Sequence, residues 1–169
     1  GDGTFTNVTA GSGLDTFSGT SLEHAPADFD NDGFVDIFGN SNTILKNNGD
    51  MTFTPVNVPF SAASIGDLND DGFIDSFVNG RIYFNEGNSN NWLKINTIGV
   101  ESNTNGIGAR IELYSEMGTQ IREVRSGEGF AMMSSLNTHF GIGTDTKIEK
   151  VIIRWPSGTV DPSQSAINK

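Results

Sequence analysis

Residues Asp28 to Asp36 read D-F-D-N-D-G-F-V-D, and thirty-nine positions later Asp67 to Asp75 read D-L-N-D-D-G-F-I-D. Counted from Asp28, side-chain oxygens stand at positions 1, 3, 5 and 9 (Asp28, Asp30, Asp32, Asp36), Gly33 at 6, and the carbonyl of Phe34 at 7. This is the ligand order of a calcium loop, in which alternate positions converge as the chain curls and a glycine takes the sharp turn. The second stretch puts Asp67, Asn69, Asp71, Gly72, the Phe73 carbonyl and Asp75 in the same places. Asn31 and Asp70 fall at position 4 and are expected to point outward. Position 12, where a helix-loop-helix calcium site needs a bidentate Glu, is Gly39 or Val78, and the following residues are β-like, so these are not EF-hands.

Two carboxylates about 5 Å apart repel by roughly 0.8 kcal/mol in water and about 3 kcal/mol at an effective dielectric near 20, so four together call for a counter-charge. Calcium suits the all-oxygen, partly backbone donor set better than magnesium, which keeps more of its waters. The plain alternative is that Asp, Asn and Gly are simply good turn formers. A second copy in matching register weighs against it.

The elements that carry these loops are short and β-like. Runs such as "FVDIFGN", "TILKN", "MTFTPV", "FIDSFVNG" and "RIYFN" are separated by Gly, Asn and Asp clusters, with turn dipeptides Asn48-Gly49 and Asn79-Gly80. "GDGTFTNV" at Gly1 returns as "GDMTFTPV" at Gly49, so a unit of about 40 to 50 residues occurs nearly twice. No stretch of this half reads as a helix.

After Asn85 comes a polar turn or linker, "EGNSNNW", and then longer strands. In "WLKINTIGV" Leu93 and Ile95 alternate with Trp92 and Lys94, and in "GARIELYS" Ala109, Ile111 and Leu113 alternate with Arg110, Glu112 and Tyr114, as half-buried antiparallel strands do. "QIREVRSG" breaks parity at Ile121 and Val124, which predicts a bulge or an edge strand. "KIEKVIIRWP" predicts a central strand ended by Pro156. The expected division is residues 1–87 and 88–169.

Charge follows that division. Of the formal net charge of -11, residues 1–86 hold 13 acidic and 2 basic side chains (-11), and residues 87–169 hold 8 of each (zero). With no basic stripe, nucleic acid is excluded as the expected partner. No apolar run approaches the roughly 18 residues of a membrane span. Cysteine is absent, which excludes disulfides and thiolate chemistry. The chain begins without Met or a basic-then-apolar leader, which reads as a processed chain or a part of a longer one.

Other candidate chemistry gives way to structural readings. His24 and His139 are the two histidines; His139, in "THFGIG", is expected to hydrogen-bond structurally, and His24 to lie at a surface or strand position. No G-x-S-x-G turn is present, and "GIGAR" lacks a phosphate-loop lysine. Arg110, Arg122, Arg125 and Arg154 are expected to pair with Glu112, Glu123 and Glu149 rather than form an anion-binding patch. Trp92 and Trp155 are expected to pack in the core rather than stack on sugars. Asn7-Val8-Thr9 is the one glycosylation sequon.

"ADFDNDGFVDIFGNS" and "GDLNDDGFIDSFVNG", with "NNGDMTF" between them, resemble FG-GAP or VCBS-type calcium repeats. The second half, with G-I-G-A-R, R-S-G-x-G and R-W-P-S-G in that order, resembles the ASPIC/UnbV domain that follows such repeats in cartilage acidic protein and bacterial relatives. The resemblance implies an all-β fold, propeller-blade-like calcium repeats followed by a small β-sandwich or barrel-like domain. It also implies two Ca2+ sites, at Asp28, Asp30, Asp32, the Phe34 carbonyl and Asp36, and at Asp67, Asn69, Asp71, the Phe73 carbonyl and Asp75. It implies an extracellular, secreted or cell-surface setting and no catalytic residues. Two repeats cannot close a propeller of four to eight blades. The expected function is therefore a non-enzymatic adhesion, matrix or surface module contacting protein or glycan. The alternatives are a subunit of a fibre or layer built by strand sharing between copies, and an accessory domain of a secreted hydrolase.

Overall fold

A computed structural model describes residues 2–15, 17, 24–39, 42–61, 64–127, 133–163, 167 and 168. Among them there is no helix: the chain is all-β, in several antiparallel sheets, none closed into a barrel. The first sheet holds β1 (Ala25–Ala27), β2 (Asp36–Gly39), β3 (Thr43–Asn47) and β4 (Phe53–Asn57) in sequential order. The second holds β5 (Ser64–Gly66), β6 (Asp75–Val78) and β7 (Arg81–Tyr83). In each sheet an acidic loop joins the first strand to the second. Asn79 (φ 50°) and Gly80 (φ 75°) make the two-residue turn from β6 to β7, where both residues need left-handed backbone.

The two sheets pack through an apolar cluster of Ala25, Phe29, Phe38, Ile65 and Ile74, with Ile44, Val58, Phe60 and Val78 at its border. Phe38 meets Phe29 and Phe60 edge-on, at centroid distances of 6.2 and 5.5 Å. The "GDGTFTNV" copy at the amino end keeps its turn, since both Asp2 and Asp50 accept from the amide and hydroxyl of a threonine two residues on. It joins no sheet among the described residues, and Phe5 stays exposed.

Beyond Asn85 the strands are β8 (Asn91–Ile95), β9 (Arg110–Ser115), β10 (Gly118–Glu123), β11 (Thr138–Gly143), β12 (Lys147–Arg154), β13 (Val160–Ser163) and β14 (Ile167–Asn168). β10, β9, β12 and β13 lie in that order, with β14 also on β12, and β8 pairs with β11 in a separate ribbon. β10 is thus an edge and β12 a central strand, as the pattern predicts. The core is Ala109, Ile111, Leu113, Val124, Phe140, Ile142, Ile148 and Val151, and Leu93, Ile95 and Trp155 pack onto it. Of the motif Arg125-Ser126-Gly127-Glu128-Gly129, the last two residues lie outside the described ones.

Candidate metal centre

The two acidic loops share three of their hydrogen bonds and differ at the first residue, where Asp28 Oδ1 accepts from Asp32 N–H at 3.1 Å and Asp67 Oδ1 accepts from nothing. Gly33 N–H donates to Asp28 Oδ2 at 2.8 Å, and Gly72 N–H to Asp67 Oδ2 at 3.1 Å. Phe34 N–H donates to Asp32 Oδ1 and Phe73 N–H to Asp71 Oδ1, at 2.9 and 2.8 Å. Asp32 N–H reaches Asp30 Oδ1 and Asp71 N–H reaches Asn69 Oδ1. Gly33 (φ 92°) and Gly72 (φ 86°) make the left-handed turn that glycine alone takes without strain.

Asp36 and Asp75 close their loops from within. Asp36 accepts from Phe29 N–H (3.0 Å) and Asn47 N–H (2.8 Å), and Asp75 from Leu68 N–H and Asn85 N–H (2.8 Å each). Both carboxylates are buried, and each ties the start of its loop to the strand pair that follows. The position-9 residues thus act on the backbone with both oxygens. Asn47 and Asn85 are equivalent partners that the spacing analysis passed over. Their signal was the recurring Asn-x-Gly, Asn47 to Gly49 and Asn85 to Gly87, in which each Asn Oδ1 accepts the glycine amide. The loop aromatics use that glycine: a β-carbon at Gly49 or at Gly87 would stand 2.7 Å from the ring of Phe34 or Phe73. "EGNSNNW" therefore opens as a continuation of the repeat.

In the first loop Asp28, Asp30 and Asp36 converge, with one carboxylate oxygen of each within 4.8 Å of the others. Burial, and then the neighbouring carboxylates, push Asp28 up to about 7 and Asp36 to about 6, although backbone hydrogen bonds to each oppose the rise. Burial raises Asp32 as well, against its Phe34 hydrogen bond. Lys46, on β3, is ion-paired with Asp30 and stands 3.6 Å from Asp32 Oδ2. In the second loop Lys94, from β8, reaches Asp67 Oδ2 at 2.9 Å and is also paired with Asp70. Asp67 Oδ1 is buried with no hydrogen-bond partner, on a side chain only 2% exposed.

These features fit an oxygen-seeking divalent cation. The donors are all oxygen, one carboxylate oxygen of the second loop is desolvated and unused, and three carboxylates of the first converge, with burial penalising the charge of Asp28 and Asp36.

Two expectations are corrected. Asn31 does not point outward: it is fully buried with φ 58°, and its side chain bonds the Gly72 carbonyl of the second loop and His139 of β11. Asp70, the equivalent residue, does point outward, its side chain 86% exposed. β8 is half-buried along its whole length rather than at alternate residues, because Trp92 and Lys94 face the second acidic loop while Leu93 and Ile95 face the core. Trp92 accordingly lies between the halves, stacked with His139 at 6.2 Å, whereas Trp155 packs on the core.

Residues 99–166 match the family model described as ASPIC and UnbV. No curated protein matches the chain. The matched segment spans β9 to β13 and includes β11, which pairs with β8 from outside it. Its arginines mostly find carboxylates: Arg110 and Arg154 both meet Glu112, at 3.2 and 3.0 Å, and Arg125 meets Glu123 at 3.5 Å. Arg122 instead lies over the Phe140 ring at 5.3 Å and donates to Gln120 Oε1 and the Ile121 carbonyl. His24 is exposed at the start of β1.

Proposed function

We propose that the chain is a calcium-stabilised, non-enzymatic structural or binding module of an extracellular or cell-surface protein, its first half built of FG-GAP/VCBS-type repeats and its second carrying the ASPIC/UnbV segment. The observation that carries this reading is the unpartnered, buried Asp67 Oδ1 in a loop whose glycine and phenylalanine amides are held as in the Asp28 loop. Asp28, Asp30, Asp32 and Asp36 with the Phe34 carbonyl would hold one ion, and Asp67, Asn69, Asp71 and Asp75 with the Phe73 carbonyl a second. The ion supplies the counter-charge that lets carboxylates stay ionised where water is excluded. Lys46 and Lys94 supply part of that charge from the flanking strands, which makes the second loop dependent on β8. The proposed role is mechanical: the loops set the angle between successive strands, and the surface they stiffen contacts a protein or a glycan. Isothermal titration with calcium, beside magnesium, tests it, together with melting in calcium and in chelator. A ligand that binds only the folded state raises the melting temperature, and indifference to both calcium and chelator overturns the reading.

A second reading, self-assembly of copies, is favoured by one sheet face. Phe77 and Ile82, paired across β6 and β7, are 46% and 52% exposed, and Phe84 beside them is exposed too. The corresponding pair in the first sheet, Phe38 and Ile44, is covered by the second sheet. Size-exclusion chromatography with light scattering separates the readings: a monomer at every concentration removes the assembly reading.

A further inference from the structure

We propose that Asn31 is a positioning residue that couples cation binding in the first loop to the docking of the second half on that loop, an inference that rests on the calcium reading above. Asn31 follows Asp30 and precedes Asp32, so its left-handed backbone helps set where those two carboxylates stand. Its own groups face elsewhere. Nδ2 donates to the Gly72 carbonyl of the second loop at 2.9 Å. Because that nitrogen is the donor, Oδ1 is the acceptor, and it takes the Nε2 proton of His139 on β11 at 2.7 Å. The Asn31 carbonyl accepts the Gly143 amide, also on β11, at 2.8 Å. One buried residue thereby touches both acidic loops and a strand more than a hundred residues away.

The rest of the first loop is held from the same side. The Asp30 carbonyl accepts from Asn88 Nδ2 (2.7 Å) and Asn90 Nδ2 (2.9 Å), and the Phe29 carbonyl from Asn85 Nδ2 (2.7 Å). A β-carbon on Gly33 would stand 2.5 Å from Cε of Met117, and one on Gly141 would stand 2.1 Å from Asp28 Oδ2. β11 therefore lies directly over the loop that gathers Asp28, Asp30 and Asp36. An ion that fixes the spacing of these carboxylates also fixes the backbone that presents Asn31 to Gly72 and His139. By reciprocity, docking of β11 favours the ion. Residue type agrees with this role: Asp at 31 would set a carboxylate oxygen against the Gly72 carbonyl, whereas at the exposed position 70 Asp is accepted.

Hydrogen exchange read by mass spectrometry on the full chain, with calcium and with chelator, tests the coupling. In the wild type, calcium is expected to slow exchange in residues 28–36 and also in residues 138–143 by about tenfold or more. Asn31→Gly, which keeps the left-handed backbone but removes the side chain, should retain the slowing at 28–36 and lose it at 138–143. Calcium protection confined to 28–36 in the wild type overturns the coupling and leaves the calcium reading standing, and this comparison needs no variant to fold. Absence of both calcium binding heat and any change in exchange overturns the calcium reading and the coupling with it.

Discussion

Trp92 lies against the backbone of Gly72, so that a β-carbon at position 72 would stand 1.7 Å from Trp92 Cε2. The glycine is required twice there, by φ 86° and by the indole of the other half. At the equivalent Gly33 (φ 92°) the nearest atom is the flexible end of Met117. Left-handed backbone alone costs an alanine about 1–2 kcal/mol, and forcing atoms into a packed contact adds about 1–3 kcal/mol. Urea denaturation should show Gly72→Ala losing clearly more stability than Gly33→Ala. Equal losses would mean that the Trp92 contact yields freely.

Phe38 and Phe77 hold the same position in the two sheets, 1% and 46% exposed. Phe38→Ala removes a ring packed against Phe29 and Phe60 and should cost about 3–5 kcal/mol. Phe77→Ala should cost about 1 kcal/mol or less. Denaturant midpoints of the two variants check the difference, and a Phe77→Ala loss as large as that of Phe38→Ala would show this face to be covered in solution.

What could be read from sequence was local. The glycine at position 6 and the inward Ala109, Ile111 and Leu113 depend on residues within one turn or one strand, and both appear where expected, whereas Glu112, expected on the open face of β9, is buried between Arg110 and Arg154. Asn31 and Asp70 occupy one place in one motif, and nothing nearby in the chain separates the buried from the exposed one. That difference is made by β11, 108 residues away at His139. The alternation of β8 revealed two faces correctly but not that the Trp92 and Lys94 face is covered by an acidic loop. The matched hydrogen bonds of Asp36 and Asp75 join residues a strand or more apart, and only the recurring Asn-x-Gly at Asn47 and Asn85 marks their partners in the chain.

His139 predicts a dependence on pH with a definite sign. Its Nε2 is bound to Asn31, its Nδ1 is buried without a partner, and burial lowers its pKa from 6.5 to about 4. The folded state therefore resists a proton that the unfolded chain accepts. The stabilising contribution is complete above pH 6.5 and is lost as pH falls toward about 4. Asp28 and Asp36 titrate in the same range with the opposite sign, so the imidazole is isolated by the difference between wild type and His139→Gln. That difference should shrink as pH falls from 7 to 4, read from denaturation midpoints across the range. A difference independent of pH would contradict the assignment of Nδ1 as an unprotonated, unpartnered nitrogen.

Calcium should matter more as pH rises. Without an ion, Asp28 and Asp36 have pKa values raised from 3.8 to about 7 and about 6, so the folded state holds protons that the unfolded state releases. Their contribution to stability is present below pH 3.8 and is lost as pH rises through these values. A divalent cation competes with those protons and stabilises the ionised carboxylates instead, so its binding becomes stronger as they deprotonate. In chelator, melting temperatures are expected to decline from pH 5 to pH 8 once the opposite His139 contribution is removed in the His139→Gln background. In calcium the decline should disappear, so that the calcium-induced rise in melting temperature is larger at pH 8 than at pH 5. Scanning calorimetry at the two pH values measures this directly. A rise that is the same at both would mean that the ion does not sit on Asp28 and Asp36, and would move the site to the carboxylates of the second loop.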